Sequence, residues 1–176
     1  MFLNKKKLFL VISVCLIFFF LTYNDVKSQE VKIISGIAKV IDGDTLRINN
    51  KKIRLLGIDA PESKQMCKKT YLSFLIFSFQ KNYRCGEIST NILKKKINQK
   101  LLICKTSIKD RYKRYIAECY DNKININAWM VRNGHAVAYR KYSKKFVTDE
   151  MIAKKDKSGL WKGSFDMPWD WRRINK

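Results

Sequence analysis

Asp42, Asp44, Asp59 and Glu62 all fall within Val40–Glu62 (VIDGDTLRINNKKIRLLGIDAPE), with Arg54 between the two acidic pairs. The 176-residue chain holds only 15 Asp+Glu against 37 Lys+Arg. Acids gathered in one stretch of so basic a chain suit a divalent cation, because carboxylate oxygens are the ligands Mg²⁺ and Ca²⁺ prefer. Arg54 adds a planar fork that fits phosphate oxygens. A second arginine, Arg114, follows the basic segment Asp110-Arg111-Tyr112-Lys113. A cation, two guanidinium groups and a carboxylate able to activate water are the parts of metal-assisted phosphodiester hydrolysis. The formal charge of +22 points to a polyanionic substrate.

Other chemistries are poorly supplied. The one histidine, His135, excludes a two-histidine phosphodiesterase site and is expected to be structural. With no CxxC pair, a zinc centre is not expected. Glu62-Ser63-Lys64 has the E-x-K form of restriction-type nucleases, but that site needs a central strand and Pro61 argues against one.

These residues need a scaffold that brings Asp44 and Asp59 together. Val31–Val40 reads as a strand, followed by Thr45–Ile48 and Ile53–Ile58 across the turn Asn49-Asn50-Lys51. In an antiparallel meander, Asp42-Gly43-Asp44 is a turn at one end. Asp44 and Asp59 then meet there, with Arg54 on the same strand as Asp59. Ala60-Pro61-Glu62 ends that strand. The apolar run Tyr71–Phe79 is too short to cross a bilayer and reads as core or a covered loop. Helices are expected at Glu87–Asn98, at Asn127–Asn133 closed by Gly134, and at Thr148–Ser158 with Thr148 as N-cap and Gly159 at its end. His135–Tyr139 should be extended. The tail 160–176 is rich in tryptophan and basic residues, and its tryptophans should pack it onto the domain. Together these elements predict an α+β fold, a five-stranded barrel of the oligonucleotide-binding type with about three helices.

Leu101–Thr106 and Arg114–Tyr120 pattern as a hairpin. A turn of Asp110-Arg111-Tyr112-Lys113 sets Cys104 opposite Cys119, where Cα atoms lie about 4.5–5.5 Å apart, within disulfide reach. By elimination Cys67 pairs with Cys85. Residues 1–28 have a basic start, Lys5–Lys7, an uncharged run, Leu8–Leu21, and the cleavage-like Val26-Lys27-Ser28. They predict a signal peptide, or alternatively an uncleaved N-terminal anchor, ahead of a domain over 29–176. Removing them leaves 33 basic against 14 acidic residues, a formal +19. An exported protein with an even cysteine count is expected to hold disulfides. Its place would be periplasmic or extracellular, or membrane-anchored facing outward.

In order along the chain, Val40-Ile41-Asp42-Gly43-Asp44-Thr45, Arg54-Leu55-Leu56-Gly57-Ile58-Asp59-Ala60-Pro61-Glu62, Asp110-Arg111-Tyr112-Lys113-Arg114 and Asn127-Ala128-Trp129-Met130-Val131 resemble the staphylococcal nuclease (thermonuclease) family. The likeness runs from about Ile37 to Trp161. The cysteines and Trp-rich tail resemble a secreted bacterial branch of it. The resemblance implies a Ca²⁺-dependent phosphodiesterase cutting DNA and RNA with little sequence preference to leave 3′-phosphates. By motif position, Asp44, Asp59 and the Ala60 carbonyl would be calcium ligands, with Asp42 as a supporting carboxylate. Glu62 would be the general base or water organiser. Arg54 and Arg114 would bind the scissile phosphate, Arg111 and Tyr112 a neighbouring one, and Tyr139 would line the nucleotide pocket. Two departures stand out: Ala60 in place of threonine, and Lys113 in place of the glycine before the catalytic arginine. No protein partner is implied, and a monomer is the default. The competing functions are a catalytically weak nucleic-acid-binding barrel and a cationic protein of the cell envelope.

Overall fold

Strong alternation marks the central strands. In β8 (Leu101–Lys109), Leu102, Cys104 and Thr106 point inward while Leu101, Ile103 and Lys105 face out. The computed structural model describes residues 30–74 and 77–175, and of 71–74, 77 and 78 the backbone alone. The expected signal peptide lies outside the described residues. Residues 31–176 form one compact unit.

The main sheet contains β1 (Lys32–Ile37), β2 (Lys39–Asp42), β3 (Thr45–Ile48), β4 (Lys51–Leu55), β8, β9 (Tyr115–Asp121) and β10 (Ile124–Asn125). Its order is β1-β8-β9-β4-β3-β2, with β10 on β9. β1 and β2 therefore lie at opposite ends of the path although only Ala38 separates them. A sheet whose two ends are joined by one residue has to curl, and it does so into a half-barrel whose end strands do not pair with each other. The expected single strand Val31–Val40 is thus two strands that pair with different partners. β2-β3-β4 is the expected meander, but β4 pairs with β9 in parallel. The sheet has seven strands rather than five because these short strands pair separately. The β3–β4 turn places Asn49 and Asn50 at φ 47° and 63°. This is the positive-φ pair that a two-residue hairpin turn requires and that asparagine tolerates.

The strand expected over Ile53–Ile58 breaks at Leu56-Gly57. Gly57 sits at φ 71°, where a side chain is strained, and β5 (Ile58–Asp59) turns away to pair with β11 (Val137–Ala138). Arg54 and Asp59 therefore stand on successive strands, not one. Within the run Tyr71–Phe79, the described residues 71–74 and 77–79 lie on two antiparallel strands, β6 (Cys67–Phe74) and β7 (Phe77–Tyr83), rather than in a loop. β12 (Gly163–Ser164) adds to its β6 edge.

Among the described residues, four α-helices surround the sheets: α1 (Cys85–Ile97), α2 (Ile126–Arg132), α3 (Val147–Lys155) and α4 (Pro168–Ile174). Asn125 caps α2 by accepting from Ala128 N–H, and Gly134 follows the helix as expected. α3 begins one residue earlier than predicted, and Thr148 is not its N-cap. Phe146 occupies that position because its ring is buried in the core. α4 is the unpredicted fourth helix. None of the described helices is long and apolar enough to cross a membrane.

Both disulfides pair as predicted, Cys67–Cys85 and Cys104–Cys119. The turn behind the second prediction is shifted, however. Asp110 pairs with Arg114 around Arg111-Tyr112-Lys113. A bulge between Thr106 and Ile108 restores the register that faces Cys104 with Cys119. Leu46, Ile53, Leu55, Leu102, Ala117 and Met130 centre the main core. A second cluster joins Cys67, Cys85, Val137 and Leu160 to Trp161, Phe165 and Trp169. The tail is therefore packed onto the domain by two of its tryptophans, as expected.

Candidate active site

The turn between β2 and β3 delivers Asp44, and the end of β5 delivers Asp59. Both carboxylates are buried, at 3% and 0% exposure. They converge on one guanidinium: Arg54 pairs with Asp44 Oδ1 through one nitrogen and with Asp59 Oδ1 at 2.6 Å through another. The β3–β4 register explains this, because Thr45 lies directly opposite Arg54. Asp44 is held further by Ala60 N–H, 2.8 Å from Oδ2, and by the Thr45 hydroxyl, 3.1 Å from Oδ1. Gly43 makes the close approach possible, since a Cβ there would stand 2.6 Å from the Ala60 Cβ and 2.2 Å from the Ser89 hydroxyl oxygen.

Asp42 accepts from Asp44 N–H at 3.0 Å. Burial raises its pKa, and hydrogen bonds from Thr45 and the charges of Arg54 and Arg114 only partly offset that. Burial lowers the Arg54 pKa, with Asp59 opposing. The group stays charged, because arginine does not deprotonate in proteins.

Glu62 lies just past β5 at the rim of a cleft of about 960 Å³. The cleft is also lined by Asp42, Asp44, Arg54 and Arg114. Asp110 holds Arg114 twice, accepting from Nε at 2.7 Å and from the backbone N–H at 2.9 Å. Burial would raise the Asp110 pKa, but its bonds to Arg114 outweigh this and hold it low. Arg111 and Tyr112 lie at the exposed mouth and contact each other, Nη2 donating to the phenol oxygen at 2.8 Å. Tyr139 also lines the cleft, with Trp169 stacked on it at 5.2 Å and Tyr142 edge-on at 4.8 Å. Every predicted site residue thus belongs to one cleft or, for Asp59, is paired directly with groups that line it. His135 is elsewhere, on a separate cavity of about 320 Å³. Burial, then Lys162, lowers its pKa, in keeping with a structural role.

The profile of the family described as Staphylococcal nuclease homologue matches residues 52–163. The chain belongs to the staphylococcal nuclease family. The matched stretch contains Arg54, Asp59, Glu62 and Arg114, but begins after Asp44 and ends before α4. An "Uncharacterized endonuclease" of Escherichia coli O157:H7 is 31% identical over 148 residues, 77% of this chain and 82% of that one. Another of the same description from Haemophilus influenzae is 36% identical over 152 residues, 80% and 73% of the two chains. "Succinoglycan biosynthesis protein ExoI" of Rhizobium meliloti is 31% identical over 133 residues, 73% of this chain but only 65% of its own length. Membership in the staphylococcal nuclease family makes the chain an enzyme of nucleic-acid hydrolysis.

The family implies a metal-dependent nuclease. Among the described residues no three His, Cys, Asp or Glu side chains close on a single point. What converges is a buried carboxylate pair, Asp44 and Asp59, beside the Ala60 backbone. An all-oxygen set of two carboxylates fits a hard cation that keeps part of its water shell, and does not fit zinc.

One residue escaped the sequence analysis. Arg172, on α4, donates to Asp59 Oδ1 at 3.0 Å, to Asp59 Oδ2 at 2.7 Å and to Glu62 Oε1 at 2.7 Å. Burial would lower its pKa, but the bonds to Asp59 and Glu62 raise it. No spacing rule ties position 172 to position 59. The only available signal was the pair Arg172-Arg173 directly after the aromatic stretch of the tail.

Proposed function

We propose that this cleft hydrolyses phosphodiester bonds of DNA and RNA as a Ca²⁺-dependent nuclease of little sequence preference, leaving 3′-phosphates. The observation that carries this is the convergence of buried Asp44 and Asp59 in a cleft that also presents Glu62, Arg54 and Arg114. Asp44 and Asp59, with the Ala60 carbonyl, would hold Ca²⁺, which when bound supplies charge to neutralise the phosphoryl oxygens. Asp42 supports Asp44 from behind. Glu62, 37% exposed on its side chain, takes a proton from the attacking water. The new P–O bond forms as the P–O5′ bond breaks, and the departing 5′ oxygen takes a proton from solvent water and leaves as a hydroxyl. Arg54 and Arg114 meet the charge that grows on the phosphoryl oxygens, and Asp110 keeps Arg114 aimed. Arg111 and Tyr112 take the next phosphate at the mouth. Tyr139 walls the nucleotide pocket.

Export of the protein is part of the same proposal. Two disulfides persist best in an oxidising compartment, and residues 1–28 carry the pattern of a signal peptide.

Digestion of plasmid DNA by the purified protein, with Ca²⁺ and with chelator, tests the function. Cleavage that needs Ca²⁺ and disappears in Glu62→Ala is the expected result. DNA that is retarded but uncut under both conditions would move the protein to the binding-module class.

A further inference from the structure

α4 lies beyond residues 52–163, which the family profile matches, and it reaches into the site. Its position is built rather than incidental. Trp169 stacks on Tyr139 with the rings 6° from parallel, and the Gln65 side chain donates to Asp166 O at 2.7 Å. Ahead of it, β12 hydrogen-bonds to the edge of β6. These contacts present Arg172 to Asp59 as a two-pronged fork, with one prong shared by Glu62.

Two guanidinium groups therefore cover the carboxylate pair. Arg54 spans Asp44 and Asp59, and Arg172 takes both oxygens of Asp59. A divalent ion on Asp59 needs one of those same oxygens and repels a guanidinium in contact with it. Arg54 is 16% exposed and rooted mid-strand, whereas Arg172 is 35% exposed on a seven-residue helix near the chain end. Arg172 is the cheaper of the two to withdraw.

We infer that Arg172 is a positioning residue that competes with the cation for Asp59, so that α4 sets the cation concentration at which the site loads. Without cation, Arg172 neutralises Asp59 and Glu62 and keeps them from repelling each other. When the cation binds, Arg172 releases Asp59, and Glu62 is freed to meet water. This rests on the assignment of Asp44 and Asp59 as cation ligands.

Calorimetric titration of Ca²⁺ into the purified protein and its Arg172→Gln variant, without nucleic acid, tests the competition. The variant should bind Ca²⁺ at least about tenfold more tightly, because one competing charge is gone. Arg172→Lys keeps the charge but loses the fork; it should fall between the two and guards against a tail that fails to fold in Arg172→Gln. A merely structural arginine would leave affinity unchanged or weaken it, and either result overturns the inference. Equal affinities that vanish in Asp44→Asn would overturn the competition alone. No Ca²⁺ binding by any of these proteins would overturn the competition together with the cation assignment beneath it.

Discussion

Both oxygens of Asp59 accept from the two terminal nitrogens of Arg172, at 3.0 and 2.7 Å, across 113 positions of chain. That pair ties the last helix to the residue on which the site turns. It also makes the tail, which carries two of the tryptophans packed in the second cluster, part of the architecture of the candidate site.

Glu62→Ala and Arg114→Ala should each lower turnover by about 10²-fold or more, the scale of a lost proton acceptor or charge-stabilising group. Both side chains are partly exposed, so the circular dichroism spectrum should not change. Single-turnover cleavage of a short oligonucleotide is the measurement. Near-wild-type rates in both variants would overturn the assignment.

Glu150 accepts from Ala138 N–H at 3.0 Å and pairs with Arg140 at 2.5 Å and Lys154 at 2.9 Å. Burial would raise its pKa, but these partners outweigh burial and hold it below the usual glutamate range. An acid with a depressed folded pKa stabilises above its unfolded value of about 4.3. That stability is lost as pH falls through the lower folded value. Glu150→Gln should therefore cost about 2 kcal/mol at neutral pH. Both cations are over 40% exposed and can return to water, which keeps the cost modest. The variant should also lose part of the acid limb below about pH 4.3. Urea melts across pH 3–7 read both effects, and parallel pH profiles for wild type and variant would refute the role.

The Cys104–Cys119 bridge spans 15 positions. Closing a loop of that size is worth about 3 kcal/mol through the unfolded chain. The double variant Cys104→Ala/Cys119→Ala should lose about that much in denaturant melts. A loss below about 1 kcal/mol would mean that the unfolded chain already keeps β8 and β9 together.

Lys113 occupies the left-handed region at φ 63°, which explains why a glycine suits this position. The strain is about 1–2 kcal/mol, and a glycine gives back about 0.5–1 kcal/mol through the unfolded state. Lys113→Gly should raise stability by up to about 1 kcal/mol without slowing cleavage, because Asp110 still holds Arg114. A thermal melt that drops by several degrees would contradict this account.

Where the sequence was legible, the signal was local. The Asn49-Asn50 turn, the alternation along β8 and the acids either side of a short meander each depend on neighbours a few positions apart. They brought Asp44 and Asp59 together with Arg54 and Glu62 near them, and the resemblance to the staphylococcal nuclease family added Arg114. The Cys104–Cys119 pairing was reached through a turn shifted by one residue, which the bulge after Thr106 offset. A bulge costs one extra residue and has no sequence mark strong enough to place it. Thr148 looked like a cap because its chemistry fits, but burial of the Phe146 ring decided where α3 begins.

The chain's own order of residues determined the chemistry: which carboxylates and guanidinium groups exist and how they cluster along the chain. Only the tertiary structure decided that Ala38 joins the two ends of one curled sheet, that Gly57 turns Asp59 off the strand of Arg54, and that Arg172 lands on Asp59. Hydrophobic period and turn chemistry act over a few residues and are written in sequence. Contacts between residues 113 positions apart depend on how the β6–β7 hairpin, Trp169 and Tyr139 pack together, and packing is a property of the assembled fold.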